Sequence, residues 1–223
     1  MARLLLVLGP LLLAACGPTR PPLPPDACRP AAREGARPWE SRGYGMAVPW
    51  FAPRRGAPRP RVVIQAFSDF QCPHCARALP QLDRVVEDFG ACVQIVWRNY
   101  PLAYHEHAEL AARAAMEVYR QRGDGAFWAY HDRLFSDQDH LERADLERAA
   151  QSVEGLDLEA FRAALGSDAH RDVIERDRAS ADATGVRIGT PSFFVNGHLL
   201  SGARPYPAFR RAIEDALLET YQD

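Results

Sequence analysis

The sequence predicts an α/β domain in which a β-α-β unit and a β-β-α unit flank a block of helices. Three observations predict it. An apolar, β-branched run at 61–67 and an alternating run at 92–98 (Val93, Ile95, Trp97) enclose an amphipathic stretch at 79–89. Apolar stripes at helical spacing fill residues 105–184. Asn196-Gly197 is a two-residue hairpin turn between two short apolar runs, and an amphipathic segment closes the chain.

The chain opens outside that domain. Arg3 gives a short positive start, and residues 4–13 form an apolar run too short to span a bilayer as a helix. Small residues follow, in Leu13-Ala14-Ala15-Cys16. Residues 1–15 are therefore expected to be a signal peptide. The Cys after them resembles the lipobox of bacterial lipoproteins, which implies lipidation at Cys16; an ordinary secretory signal is the alternative. Gly17 after that Cys, by the same resemblance, favours an outer membrane. Residues 17–60 hold 11 of the 18 prolines. Residues 16–45 are expected to be an extended stalk, and 46–48 a short edge strand opening the domain.

The strand at 61–67 is expected to be buried. Pro73 suits the first turn of the next helix, because it fixes φ and lacks a donor not needed there. That helix should run to Phe89 and end at Gly90, kinked at Pro80. The strand at 92–98 completes the β-α-β unit. In the helical block, Leu110, Ala111, Ala114, Ala115 and Val118 form one stripe, Phe127, Tyr130, Leu134 and Phe135 a second, and Leu158, Phe161 and Leu165 a third. Ser167 is the expected N-cap of a charged helix ending at Gly185. Strands at 192–195 and 198–201 and a helix at 207–221 follow. The expected division is 46–103, an insertion at 104–185, and 186–223.

Net charge is −2, so no basic surface argues for nucleic acid. All 27 basic residues are Arg, which reads as compositional bias.

The chemistry concentrates in Cys72-Pro73-His74-Cys75. Cys72 should sit where a helix begins, with Cys75 one turn on and within disulfide reach. Orphan N–H groups and the positive helix end favour a thiolate at Cys72. His74, as imidazolium or N–H donor, would add to that. A stabilised thiolate makes the corresponding disulfide a stronger oxidant. Cys75 would be the buried, resolving thiol. A copper- or zinc-binding chaperone is the competing reading, with His105 and His107 as candidate co-ligands, but zinc wants four ligands and no second CxxC is present. Pro191 sits at a strand start, which an ordinary trans proline at a strand edge or a cis bond would explain. Backbone beside it at Thr190 could pair with an extended substrate.

Three segments carry a resemblance: Phe67-Ser68-Asp69-Phe70-Gln71-Cys72-Pro73-His74-Cys75, Arg98-Asn99-Tyr100-Pro101-Leu102 and Gly189-Thr190-Pro191-Ser192-Phe193-Phe194-Val195-Asn196-Gly197. In this order, with helices between, they resemble the DsbA-like branch of the thioredoxin superfamily over residues 46–221. The resemblance implies a thioredoxin fold with an inserted helical domain, a cis Pro191, and thiol–disulfide exchange with exported polypeptides. Some strongly oxidising relatives carry Val where Thr190 stands.

The expected site residues are Cys72, Cys75, His74 and Pro191 for catalysis, and Thr190, Pro73 and Phe70 for substrate. Phe70 reads most simply as a core or groove-lining aromatic, and as a substrate contact only through its place near the motif. Asp69 is expected to be solvated or capping, or a proton acceptor for the resolving thiol. Cys28 and Cys92 either bridge, or Cys92 is a small buried apolar residue. Most of His105, His107, His131, His140, His170 and His198 are expected to be solvated, as is one face of 171–182. No cofactor beyond the Cys72–Cys75 disulfide and no metal is expected. The expected partners are exported polypeptides and a membrane or small-molecule redox partner, with the protein a lipid-anchored monomer at the periplasmic face of the envelope.

Overall fold

The computed structural model describes residues 22–24, 26–28 and 43–221. The expected signal peptide, Cys16 and most of the stalk lie outside them. The elements run β1 (Arg54–Gly56), β2 (Val62–Ser68), α1 (Pro73–Phe89), β3 (Val93–Asn99), α2 (Ala108–Ser136), α3 (Arg143–Ala150), α4 (Leu158–Leu165), α5 (Arg171–Asp182), β4 (Ser192–Val195), β5 (His198–Ser201) and α6 (Tyr206–Tyr221). One sheet holds the order β1-β3-β2-β4-β5. β2 and β3 are parallel; every other pairing is antiparallel. The four helices α2–α5 are inserted between β3 and β4, so the fold is a thioredoxin fold with a helical insertion.

Both central strands are buried on both faces, as a sheet covered on two sides requires. Val62, Ile64, Val93, Ile95 and Trp97 face the main core, with Leu82 and Val85 of α1 and Ile213 and Leu217 of α6. The far face is closed by the segment before β1. Ala52 packs on Val63 and Val96, and Met46 on Phe67 and Phe194. Residues 46–48 are thus not the expected edge strand. They lie across the sheet, where the Met46 carbonyl accepts from Gln65 Nε2 at 3.0 Å. The strand in this region is β1, eight residues later, antiparallel to β3.

Two more boundaries differ. Ser167 does not cap α5. Its hydroxyl donates back to the Ala164 carbonyl, and His170, in the left-handed region at φ 65°, precedes the helix. α5 ends at Asp182, before Gly185. α2 is broken at Gly123, whose φ of 73° only glycine adopts without strain.

The insertion is tied down by buried polar contacts. Asp177 of α5 accepts from Arg98 Nε (2.6 Å), Asn99 N (2.8 Å) and Asn99 Nδ2 (2.9 Å). The expected wet helix therefore buries Asp177 with Ile174 and Ala181. Glu117 of α2, itself buried, takes hydrogen bonds from Arg120, Gln121 and His170. Burial opposes its ionisation, yet those donors hold the carboxyl at about 2. Cys28 is disulfide-bonded to Cys92, the residue that leads into β3.

Candidate active site

β2 is a seven-residue strand that ends at Ser68, and a tight turn then delivers Cys72 to the start of α1. Asp69 makes that turn. Its Oδ1 accepts from Gln71 N (2.7 Å), its Oδ2 from Leu102 N (2.8 Å), and the Cys72 N–H donates to its carbonyl (3.1 Å). His105 Nδ1 lies 2.7 Å from the same Oδ2. Asp69 is therefore a buried staple between the β2–α1 turn and the β3–α2 loop, not a solvated residue. His105 is its partner, and His107 holds Gln71 through its backbone N–H.

Cys72 is the N-cap of α1, with extended φ/ψ and Pro73 behind it. Its carbonyl accepts the first helical bonds from Cys75 N (3.0 Å) and Ala76 N (3.3 Å). Both thiols are free and buried. The Cys75 thiol, hydrogen-bonded to the Cys72 sulfur, is the largest influence lowering Cys72 from 9.0 to about 5. Burial opposes the shift; the Thr190 side chain and the backbone N–H groups of Cys75 and His74 support it. Cys75 goes the other way. Burial first, then the hydrogen bond and charge of Cys72, push its thiol well up, against smaller help to the anion from the Ser68 hydroxyl and the Asp69 backbone. One sulfur is thus an anion at neutral pH and its neighbour a thiol, the division that attack and resolution require.

The cis Thr190–Pro191 bond leads into β4 beside the dithiol. The Cys72 sulfur lies 3.5 Å from the Thr190 carbonyl oxygen. The Thr190 hydroxyl is buried and has no hydrogen-bond partner at normal distance, so its support of the Cys72 anion is a weaker, longer contact.

The remaining expected residues divide. Pro73 and His74 are exposed at the site's mouth. The His74 ring is paired with the Arg77 guanidinium, so its effect on Cys72 comes through its backbone N–H, not its ring. Phe70 is a correction: it is fully buried and offers no surface to substrate. Its ring packs on Trp97 (4.8 Å) and Phe135 (5.2 Å). His131 is also buried, in the same aromatic cluster, with Nδ1 on Asp132 and burial holding its imidazole low. His140 and His198 are exposed, paired with Asp137 and Glu219. No three His, Cys, Asp or Glu side chains gather in a metal-binding group among the described residues.

Two contributors were not anticipated. Ser68 is visible only as part of the Phe67–Cys75 motif. Gln138 donates from Nε2 to the carbonyls of Phe70 (2.7 Å) and Cys72 (3.1 Å). It lies 66 positions beyond Cys72, and nothing in its local sequence marks it.

A free dithiol at a helix start, facing a cis-proline strand, defines a thioredoxin-fold thiol–disulfide exchange site. The family model described as Thioredoxin matches residues 52–215, and the chain belongs to that family. Among solved structures, a thioredoxin-like oxidoreductase from Silicibacter pomeroyi is 30% identical (TM-score 0.66; 75% of this chain, 93% of that one). Oxidised BdbD from Bacillus subtilis shares the fold at 23% identity (TM-score 0.69; 78% and 96%). The catalytic domain of Proteus mirabilis ScsC shares it at 24% (TM-score 0.66; 78% and 93%). A curated relative, the Na(+)/H(+) antiporter NhaA 3 of Salinispora tropica, is 38% identical over 163 residues, 73% of this chain. The chain spans 24% of that antiporter's length.

Proposed function

We propose that the protein is a dithiol oxidase that forms disulfides in exported polypeptides. The observation that carries this is the division of the two sulfurs. A Cys72 anion at about 5 stabilises the reduced pair, so the oxidised pair gives its disulfide away. A substrate thiolate attacks the Cys72 sulfur, the Cys72–Cys75 bond breaks, and Cys75 leaves and takes a proton. A second substrate thiolate then attacks the mixed disulfide at the substrate sulfur. Cys72 leaves as a thiolate, and the two electrons from the substrate remain on the reduced pair. The cis Pro191 turn offers the Thr190 backbone for strand pairing with the substrate. Pro73 lies exposed beside it.

A second reading, a reductase or isomerase on the same site, has one observation in its favour. Thr190 stands before Pro191 where some strongly oxidising relatives carry Val. Export rests on the apolar residues 4–13 and Ala14-Ala15-Cys16, which also support a lipid anchor at Cys16. No helix among the described residues is long and apolar enough to cross a membrane.

The test is oxidation of a reduced, unfolded protein by the Cys72–Cys75 disulfide form. The reading expects stoichiometric transfer of one disulfide, lost in Cys72→Ala. Reduction of an insulin disulfide by the dithiol form, with no oxidation of reduced substrate, would select the alternative.

A further inference from the structure

The helical insertion touches the redox turn at two adjoining places. The Phe135 ring packs on Phe70, and three residues on, Gln138 reaches the carbonyls of Phe70 and Cys72. The Cys72 carbonyl belongs to the residue whose sulfur reacts, and it is the first acceptor of α1. Its partial negative charge opposes an anion on the attached side chain. An amide donor placed on it withdraws that charge without occupying the sulfur. The neighbouring Asp137 is exposed and paired with His140, and Asp139 is exposed, so neither fills this role.

We propose that Gln138 is a positioning residue of the dithiol site: its amide clamps the redox turn to the helical insertion and favours the Cys72 anion through the Cys72 carbonyl. The insertion then tunes the reactive sulfur as well as covering it. This rests on the exchange reading above.

Two substitutions separate tuning from mere support. Gln138→Leu keeps the stem and removes the donor. Gln138→Glu keeps the shape and places a carboxylate against the two carbonyls. Thiolate absorbance of the reduced full chain, followed against pH, reads Cys72 directly, and equilibration with glutathione reads the pair. Gln138→Leu should move the thiolate midpoint upward and make the disulfide less oxidising by about threefold in the equilibrium constant. Gln138→Glu should move both the same way and further, by about tenfold. Lowered melting temperature with an unmoved midpoint in both variants would overturn the proposal and leave Gln138 a structural brace. If the Leu variant does not fold, the Glu variant decides alone. The wild-type midpoint tests the exchange reading itself, whereas only the difference between wild type and variants tests Gln138.

Discussion

Replacing Cys72 by Ser in the reduced protein, with the Cys28–Cys92 bridge intact, isolates the energetics of the anion. The folded thiol titrates at about 5 against an ordinary 9.0. Folding lowers the value, so the stabilisation is complete above about pH 9, shrinks as pH falls, and is gone below about pH 5. At pH 7 folding favours the ionised form by about 100-fold, or ~2.7 kcal/mol. Water at the helix end screens part of this, leaving about 1.5–2.5 kcal/mol. Cys75 is held well above its ordinary value and stays protonated in this range, so it does not confound the comparison. Guanidinium unfolding of both proteins from pH 5 to pH 8 supplies the assay. The gap between wild type and Cys72→Ser should widen with pH, by about 0.7–1.4 kcal/mol per pH unit. A gap that stays constant over that range would refute the reasoning, because a sulfur that matters only by packing has no such slope.

Other outcomes follow from the same geometry. His74→Pro removes the backbone N–H that favours the Cys72 anion and should make the disulfide less oxidising, whereas His74→Ala keeps that N–H and should change the glutathione equilibrium little. Cys75→Ala should trap mixed disulfides between Cys72 and client proteins, detectable on non-reducing gels; recovery of none would contradict the assigned roles. Asp177→Ala leaves the buried Arg98 guanidinium without its carboxylate and should cost about 3–5 kcal/mol in denaturant unfolding. Replacing both Cys28 and Cys92 by Ser opens a loop of sequence separation 64 and should lower stability by up to ~4 kcal/mol, with exchange activity retained below the melting point.

Much of this was legible in the chain. The order of strands and helices followed from period and turn chemistry, since Asn196-Gly197 and the β-branched run at 61–67 leave little choice. The dithiol was legible because two thiols at a helix start are rarely placed so for packing alone, whereas Pro191 gained its meaning only beside that motif and the family resemblance. What escaped depends on long-range contact. Residues 46–48 are apolar enough for a strand, but the sheet needed a cover on its far face, and packing on Phe67 and Phe194 outweighed pairing. Asp69 and His105 read as surface polar residues until folding brings them to 2.7 Å. His131 looked solvated because no sequence pattern announces an aromatic cage built from Phe70, Trp97, Phe127, Trp128 and Phe135. Asn196 shows the converse. Its sequence context marks it as a turn residue, yet its buried amide also accepts from Val63 N (2.8 Å) and donates to the Arg61 carbonyl (3.1 Å).

The most direct measurement is the reduction potential of the Cys72–Cys75 pair against glutathione at pH 7. Stabilisation of the reduced pair by the Cys72 anion predicts a value at or above roughly −180 mV, in the range of oxidising members of this superfamily. A value near −270 mV, where cytoplasmic thioredoxin lies, would contradict it.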